Sequence, residues 1–138
     1  MSDTVKLFVY GTLQPKGHLH KIVEPIIEKS IGATLHNYAL YKHPLGFYPE
    51  ITKDPSRIVK GTLLIISTYN ENFIDLMVME LQAGYALQIV NVRTEHGIVM
   101  PALCFVSAEK PKGFLIESGD WLRYAKMNSN REEQNWVD

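Results

Sequence analysis

Cysteine is nearly missing from this sequence. Cys104 stands alone among 138 residues, which excludes a disulfide framework and a cysteine-rich metal site. Its setting, Ala102-Leu103-Cys104-Phe105-Val106, is an apolar strand pattern, so a buried structural thiol is expected rather than a nucleophile. An excess of charge of one sign is also missing: the formal net charge is −1, with no basic run. That argues against nucleic acid or an anionic membrane as the main partner. No window approaches the ~20 apolar residues of a membrane span. After polar Met1-Ser2-Asp3-Thr4 the apolar stretch is too short for a signal-peptide core, and a cytoplasmic protein is expected.

Several catalytic signatures are missing too. There is no Gly-x-Ser-x-Gly elbow,. The stretch from Gly11 to Gly17 includes Lys16, but Gly17 is followed by His18 rather than Lys-[Ser/Thr], so it is no phosphate loop,. His18 and His20 are spaced as strand-borne metal ligands can be, without a second pair or an acid cluster to complete a site. Solvent-facing loop residues are expected there, and no metal or cofactor.

What is present is enough to fold. Hydrophobic residues make up 46% and charged residues 21%, the balance of a globular domain rather than a disordered chain. One domain over residues 1–127 is expected, followed by a loosely held polar tail, 128–138. Strand patterns dominate: Leu7 onward, Ile31 to Tyr41 with Ala33, Leu35 and Ala39 on one face, Arg57 to Ser67, Ala86 to Thr94, and Ile98 to Val106,. Phe47 to Ile51 is a brief extended piece that Pro49 confines to an edge or a bend. Glu95-His96-Gly97 is a hairpin-sized connection. His18 to Glu24 is a short helix ending before Pro25. Glu71 to Gln82 is the one long helix, with Thr68 or Asn70 to cap it and Gly84 where it stops. Ser118-Gly119-Asp120-Trp121 opens a short terminal helix, with Trp121 as its anchor to the core. Strands in succession with little helix give an α+β fold, mostly antiparallel, whose sheet can curl into a barrel.

Two features carry chemistry. The run Leu7-Phe8-Val9-Tyr10 ends abruptly in Gly11-Thr12-Leu13. Gly11 lets the chain turn sharply through angles closed to other residues. The backbone N–H groups that follow either belong to an ordinary loop or form an anion-binding turn. The second feature is Glu80. At ~100° per residue, Phe73, Ile74, Met77, Val78 and Leu81 share one arc, while Asp75 and Gln82 point away. Glu80 sits at the margin of that arc, four residues after Leu76 and seven after Phe73. Pressed against apolar side chains, its carboxyl has a raised pKa and suits proton transfer near neutral pH. On these residues alone a boundary glutamate reaching water is the more ordinary reading.

Together these motifs resemble the gamma-glutamylcyclotransferase-like family, which shows Tyr-Gly-[Ser/Thr]-Leu early and a helix bearing Leu-Asp-x-x-Glu-Gly in mid-chain. Here they stand as Tyr10-Gly11-Thr12-Leu13, and as Glu80 followed by Tyr85-Ala86-Leu87-Gln88-Ile89-Val90-Asn91-Val92. Val59-x-Gly61-Thr62-Leu63 and Tyr48-Pro49-Glu50-Ile51 agree as well, and the resemblance spans roughly Lys6 to Val106. Three positions depart from it: Met77 replaces an aspartate, Leu81 a glycine and Leu87 an arginine. The resemblance implies a small mixed barrel that cyclises a gamma-glutamyl compound to 5-oxoproline and releases an amine or amino acid, without metal or cofactor. It implies Glu80 as the proton carrier, donors from the amides of Tyr10, Gly11, Thr12 and Leu13, and a pocket hydroxyl or packing role for Tyr85. A monomer or weak homodimer is expected. The rival reading, supported by the three departures, is a barrel that keeps the cavity and only binds.

Overall fold

The computed structural model of the protein describes residues 4–15, 20–46, 48–67 and 71–128. Strand β1 (Thr4–Val9) is apolar on consecutive residues because both of its faces are covered. Phe8 points into a barrel, while Leu7 and Val9 pack outward beneath a helix. The same holds for Leu63 inside and Leu64 and Ile66 outside on strand β3 (Pro49–Ser67). Such strands cannot show the alternation of a half-wet sheet.

The barrel also contains β2 (Ile27–Lys42), β4 (Tyr85–Thr94) and β5 (Val99–Ser107). Around it the order is β3-β1-β5-β4-β2, closed by pairing of β2 with β3, and two-residue β6 (Phe114–Leu115) adds outside β2. All pairings are antiparallel except β1 with β5, where Leu7 lies beside Leu103 and Phe8 beside Cys104. The fold is therefore α+β, with a closed five-stranded mixed barrel. Closure gives each of the five strands a neighbour on both sides over at least part of its length,.

Two expected strands run together. Pro49 begins β3, paired with Lys42, so the brief piece at 49–51 and the strand from Arg57 are one element. Between them β3 leaves the ladder: Tyr38 pairs with Lys53 but His36 with Ile58. Opposite that break Asn37 adopts a left-handed φ of 68°, which asparagine tolerates better than most residues. The bulge reverses the side-chain parity of β2. Ala33 and Leu35 face the interior as expected, but beyond the bulge Tyr38 and Leu40 join them, and buried Ala39 does not.

Helix α1 (His20–Val23) passes into one 3-10 turn, Glu24–Ile26, that carries Pro25. Helix α2 (Glu71–Gln82) has the bounds expected, and Gly84 follows it with φ 98°. Its proposed caps, Thr68 and Asn70, lie outside the described residues, as does His18. A terminal helix spans 121–128, where the Asp120 carboxylate accepts the Arg123 N–H at 3.2 Å. Trp121, 1% exposed, fills the barrel interior beside Ile116 and Val59. Met127 and Asn128 lie at the end of this helix.

Candidate active site

Apolar residues fill seven of the nine positions from Phe73 to Leu81, so α2 has no clean polar side and tertiary contacts set its rotation. Leu76 is buried, with Met77 and Met79 packed against the outer core, whereas Val78 and Leu81 are about half exposed. The inward line is thus Leu76 and Glu80, at the i, i+4 spacing,, and not the arc through Val78 and Leu81. Glu80 is half-buried, at the margin of the packed side, and borders the space between helix and barrel.

That rotation aims Glu80 into a cavity of about 380 Å³. The cavity sits at one end of the barrel because β1 and β5 run parallel and their C-terminal ends emerge together. The turn Tyr10 to Leu13 forms one wall, Glu80 with Met79 and Ala83 another, and Tyr48, Pro49, Tyr85 and Phe105 complete it. Glu80 is the one carboxylate among the described lining residues. Burial pushes its pKa from 4.5 up to about 7, because the charged form loses hydration there.

The turn is a β-turn in which the Gln14 N–H reaches the Gly11 carbonyl at 3.1 Å. Thr12 and Leu13 are its central residues, and among the described residues their amides have no hydrogen-bond acceptor. Gly11 is required for a reason other than the one expected. Its φ is not left-handed; a Cβ there would run into the Pro49 ring. The close approach of strand β3 selects glycine.

Tyr10 contributes its backbone to the wall, while its buried hydroxyl donates to the Phe105 carbonyl. Burial, and next the neighbouring Cys104, hold that hydroxyl's pKa far above the usual tyrosine value. Leu13 is likewise an anchor, 7% exposed in the outer core. Tyr85 donates to the Pro49 carbonyl. Its pKa too is raised, by burial first and then by the Glu80 and Glu50 charges.

Pro49, Met79 and Phe105 were not among the expected site residues, and neither was His20. His20 is no solvent-facing loop residue: it is half-buried on α1, and its Nδ1–H donates to the Leu13 carbonyl at 2.9 Å, pinning the exit of the turn. Met77, Leu81 and Leu87, the three departures, do not line the cavity. Cys104 is fully buried in the barrel. Among the described residues no group of three or more His, Cys, Asp or Glu side chains is placed to hold a metal ion, and no helix is long and apolar enough to cross a membrane.

A family model for gamma-glutamyl cyclotransferase, AIG2-like, matches residues 7–123. No curated protein matches the sequence. Among solved structures the chain is similar to an uncharacterized protein from Pyrococcus horikoshii, at 24% identity and TM-score 0.64 over 94% of this chain and 97% of that one. It is also similar to an AIG2-like protein from Mus musculus, at 17% identity and TM-score 0.68 over 87% and 89%. A gamma-glutamyl cyclotransferase aligns at 17% identity and TM-score 0.62 over 80% and 69%. At these identities the likeness is one of fold.

Proposed function

The chain belongs to the AIG2-like gamma-glutamyl cyclotransferase family, and from that premise we propose that it cyclises a gamma-glutamyl amide to 5-oxoproline and releases the amine. The observation that carries the proposal is Glu80, half-buried and lining one mostly apolar cavity together with Thr12 and Leu13. The substrate is its own nucleophile. Glu80 takes a proton from the α-ammonium, and the freed amine attacks the γ-carbonyl carbon to close a five-membered ring. The carbonyl oxygen becomes negative in the tetrahedral intermediate, where the Thr12 and Leu13 N–H groups stabilise it. Glu80 then gives its proton to the leaving nitrogen as the C–N bond breaks, and takes the second proton from the ring nitrogen, which leaves a neutral lactam. A carboxyl with a pKa of about 7 populates both forms at neutral pH, which this shuttle requires. Attack within one molecule leaves the protein chiefly the task of holding geometry.

The departures at Met77, Leu81 and Leu87 no longer favour the binding-only reading, because none of the three reaches the cavity. Release of 5-oxoproline from a panel of gamma-glutamyl amides and amino acids tests the proposal. Turnover that falls about a hundredfold or more in Glu80→Gln, with the fold intact, supports it. No turnover with any of them, alongside ligand binding that Glu80→Gln does not alter, leaves the barrel a binding module.

A further inference from the structure

A second pocket of about 460 Å³ adjoins the first and shares three of its walls, Tyr48, Ala83 and Tyr85. Glu50 lies within it, its side chain 12% exposed. One carboxylate oxygen accepts a hydrogen bond from the Ser107 hydroxyl at 2.8 Å. The other stands 3.3 Å from His43 Nε2, and the His43 ring stacks on Tyr48 with centroids 4.4 Å apart. Each carboxylate oxygen has two acceptor positions, so both keep room for another donor. Lys110, Lys112 and Glu109 also border the pocket, but all three are exposed, where water and salt weaken their pull. The recessed Glu50 therefore dominates the charge an occupant meets. Tyr85 stands between the two carboxylates, within the field of both Glu80 and Glu50.

Resting on the gamma-glutamyl reading above, we propose that the second pocket receives the leaving amine and that Glu50 selects amines bearing a further positive charge, as in an aliphatic diamine. The glutamyl half occupies the first pocket, the scissile bond lies at the Tyr85 boundary, and the remainder of the amine passes into the second. An uncharged alkyl chain there strips water from Glu50 and replaces it with nothing. An ammonium restores the lost hydration with a charge-assisted hydrogen bond. Glu50 does not touch the reacting atoms; it determines specificity.

The test uses the Glu80→Gln protein, expected to turn substrate over at least about a hundredfold more slowly, and two probes: gamma-glutamyl-(5-aminopentyl)amide and its uncharged counterpart gamma-glutamyl-pentylamide. Titration calorimetry is expected to show the aminopentyl amide binding about tenfold tighter, in line with a hydrogen bond to a charged group. Adding Glu50→Gln, which keeps the shape and the bond from Ser107, is expected to shrink that preference to within about twofold. The kcat/KM ratio of the unsubstituted protein for the two amides gives the same comparison without any variant. Equal affinity for the two amides, or a preference that survives Glu50→Gln, overturns the specificity role and leaves the gamma-glutamyl reading standing. If neither amide binds, both fall.

Discussion

Pro49 fills the space that a side chain at residue 11 would need. Its carbonyl accepts the Tyr85 hydroxyl, and its residue opens the long strand β3 in register with Lys42. One proline thus ties the amide-bearing turn, the start of β4 and the barrel wall into one rigid corner. Gly11→Ala is expected to push the turn off this corner, with a stability loss of about 1–3 kcal/mol as for other overpacked sites. The displaced amides should lower turnover by more than the melting shift accounts for. Thermal unfolding and 5-oxoproline release, measured on the same sample, check both.

The Glu80 carboxyl binds its proton more tightly in the folded protein, at about 7, than at its ordinary 4.5. Stability therefore falls as pH rises from about 4.5 to about 7, and the cost is constant above that, because the native state must give up a proton it prefers to keep. Glu80→Gln removes the cost. The variant should melt at the same temperature as the unsubstituted protein near pH 4.5 and higher above pH 7. Its kcat/KM profile should lack the acid limb near pH 7 that is expected of the unsubstituted protein. Melting curves across pH, with the corresponding rate profiles, decide the point.

Tyr85→Phe deletes one hydroxyl and its bond to the Pro49 carbonyl. A cost of about 1 kcal/mol in stability is expected, with a rise in KM exceeding any fall in kcat, since the ring keeps its place in the wall while the corner loosens. Chemical denaturation and steady-state kinetics measure the two effects.

Cys104 has no exposed surface, and burial drives its thiol pKa far above the usual value. Both the thiolate and access to it are lacking. An aromatic disulfide reagent should label it only as fast as the barrel opens, so labelling should track unfolding in a denaturant series. Rapid labelling under native conditions would sink the assignment.

Much of the frame was legible because it rests on local rules. The continuous apolar run of β1 marked a strand covered on both faces, Gly84 marked the end of α2, and Glu95-His96-Gly97 marked the β4–β5 hairpin. The rotation of α2 was not legible, since a segment apolar on nearly every side has no preferred face until the strands beneath it choose one. Nor was the bulge at Asn37, where one left-handed residue reversed the parity of half a strand. Glu80 and the 10–13 turn were legible as residues of interest. Pro49 and His20, which hold that turn in place, act across 38 and 7 positions of sequence, and no local pattern announces such contacts.

Because β1 and β5 leave the barrel side by side, the 10–13 turn and the 108–113 connection that borders the second pocket open at the same mouth, yet they belong to different strands. Insertions or charge changes in that connection alter what enters without disturbing Glu80 or the corner at Pro49. The wall that is exposed and easily substituted is thus separate from the wall that the Pro49 ring holds in place.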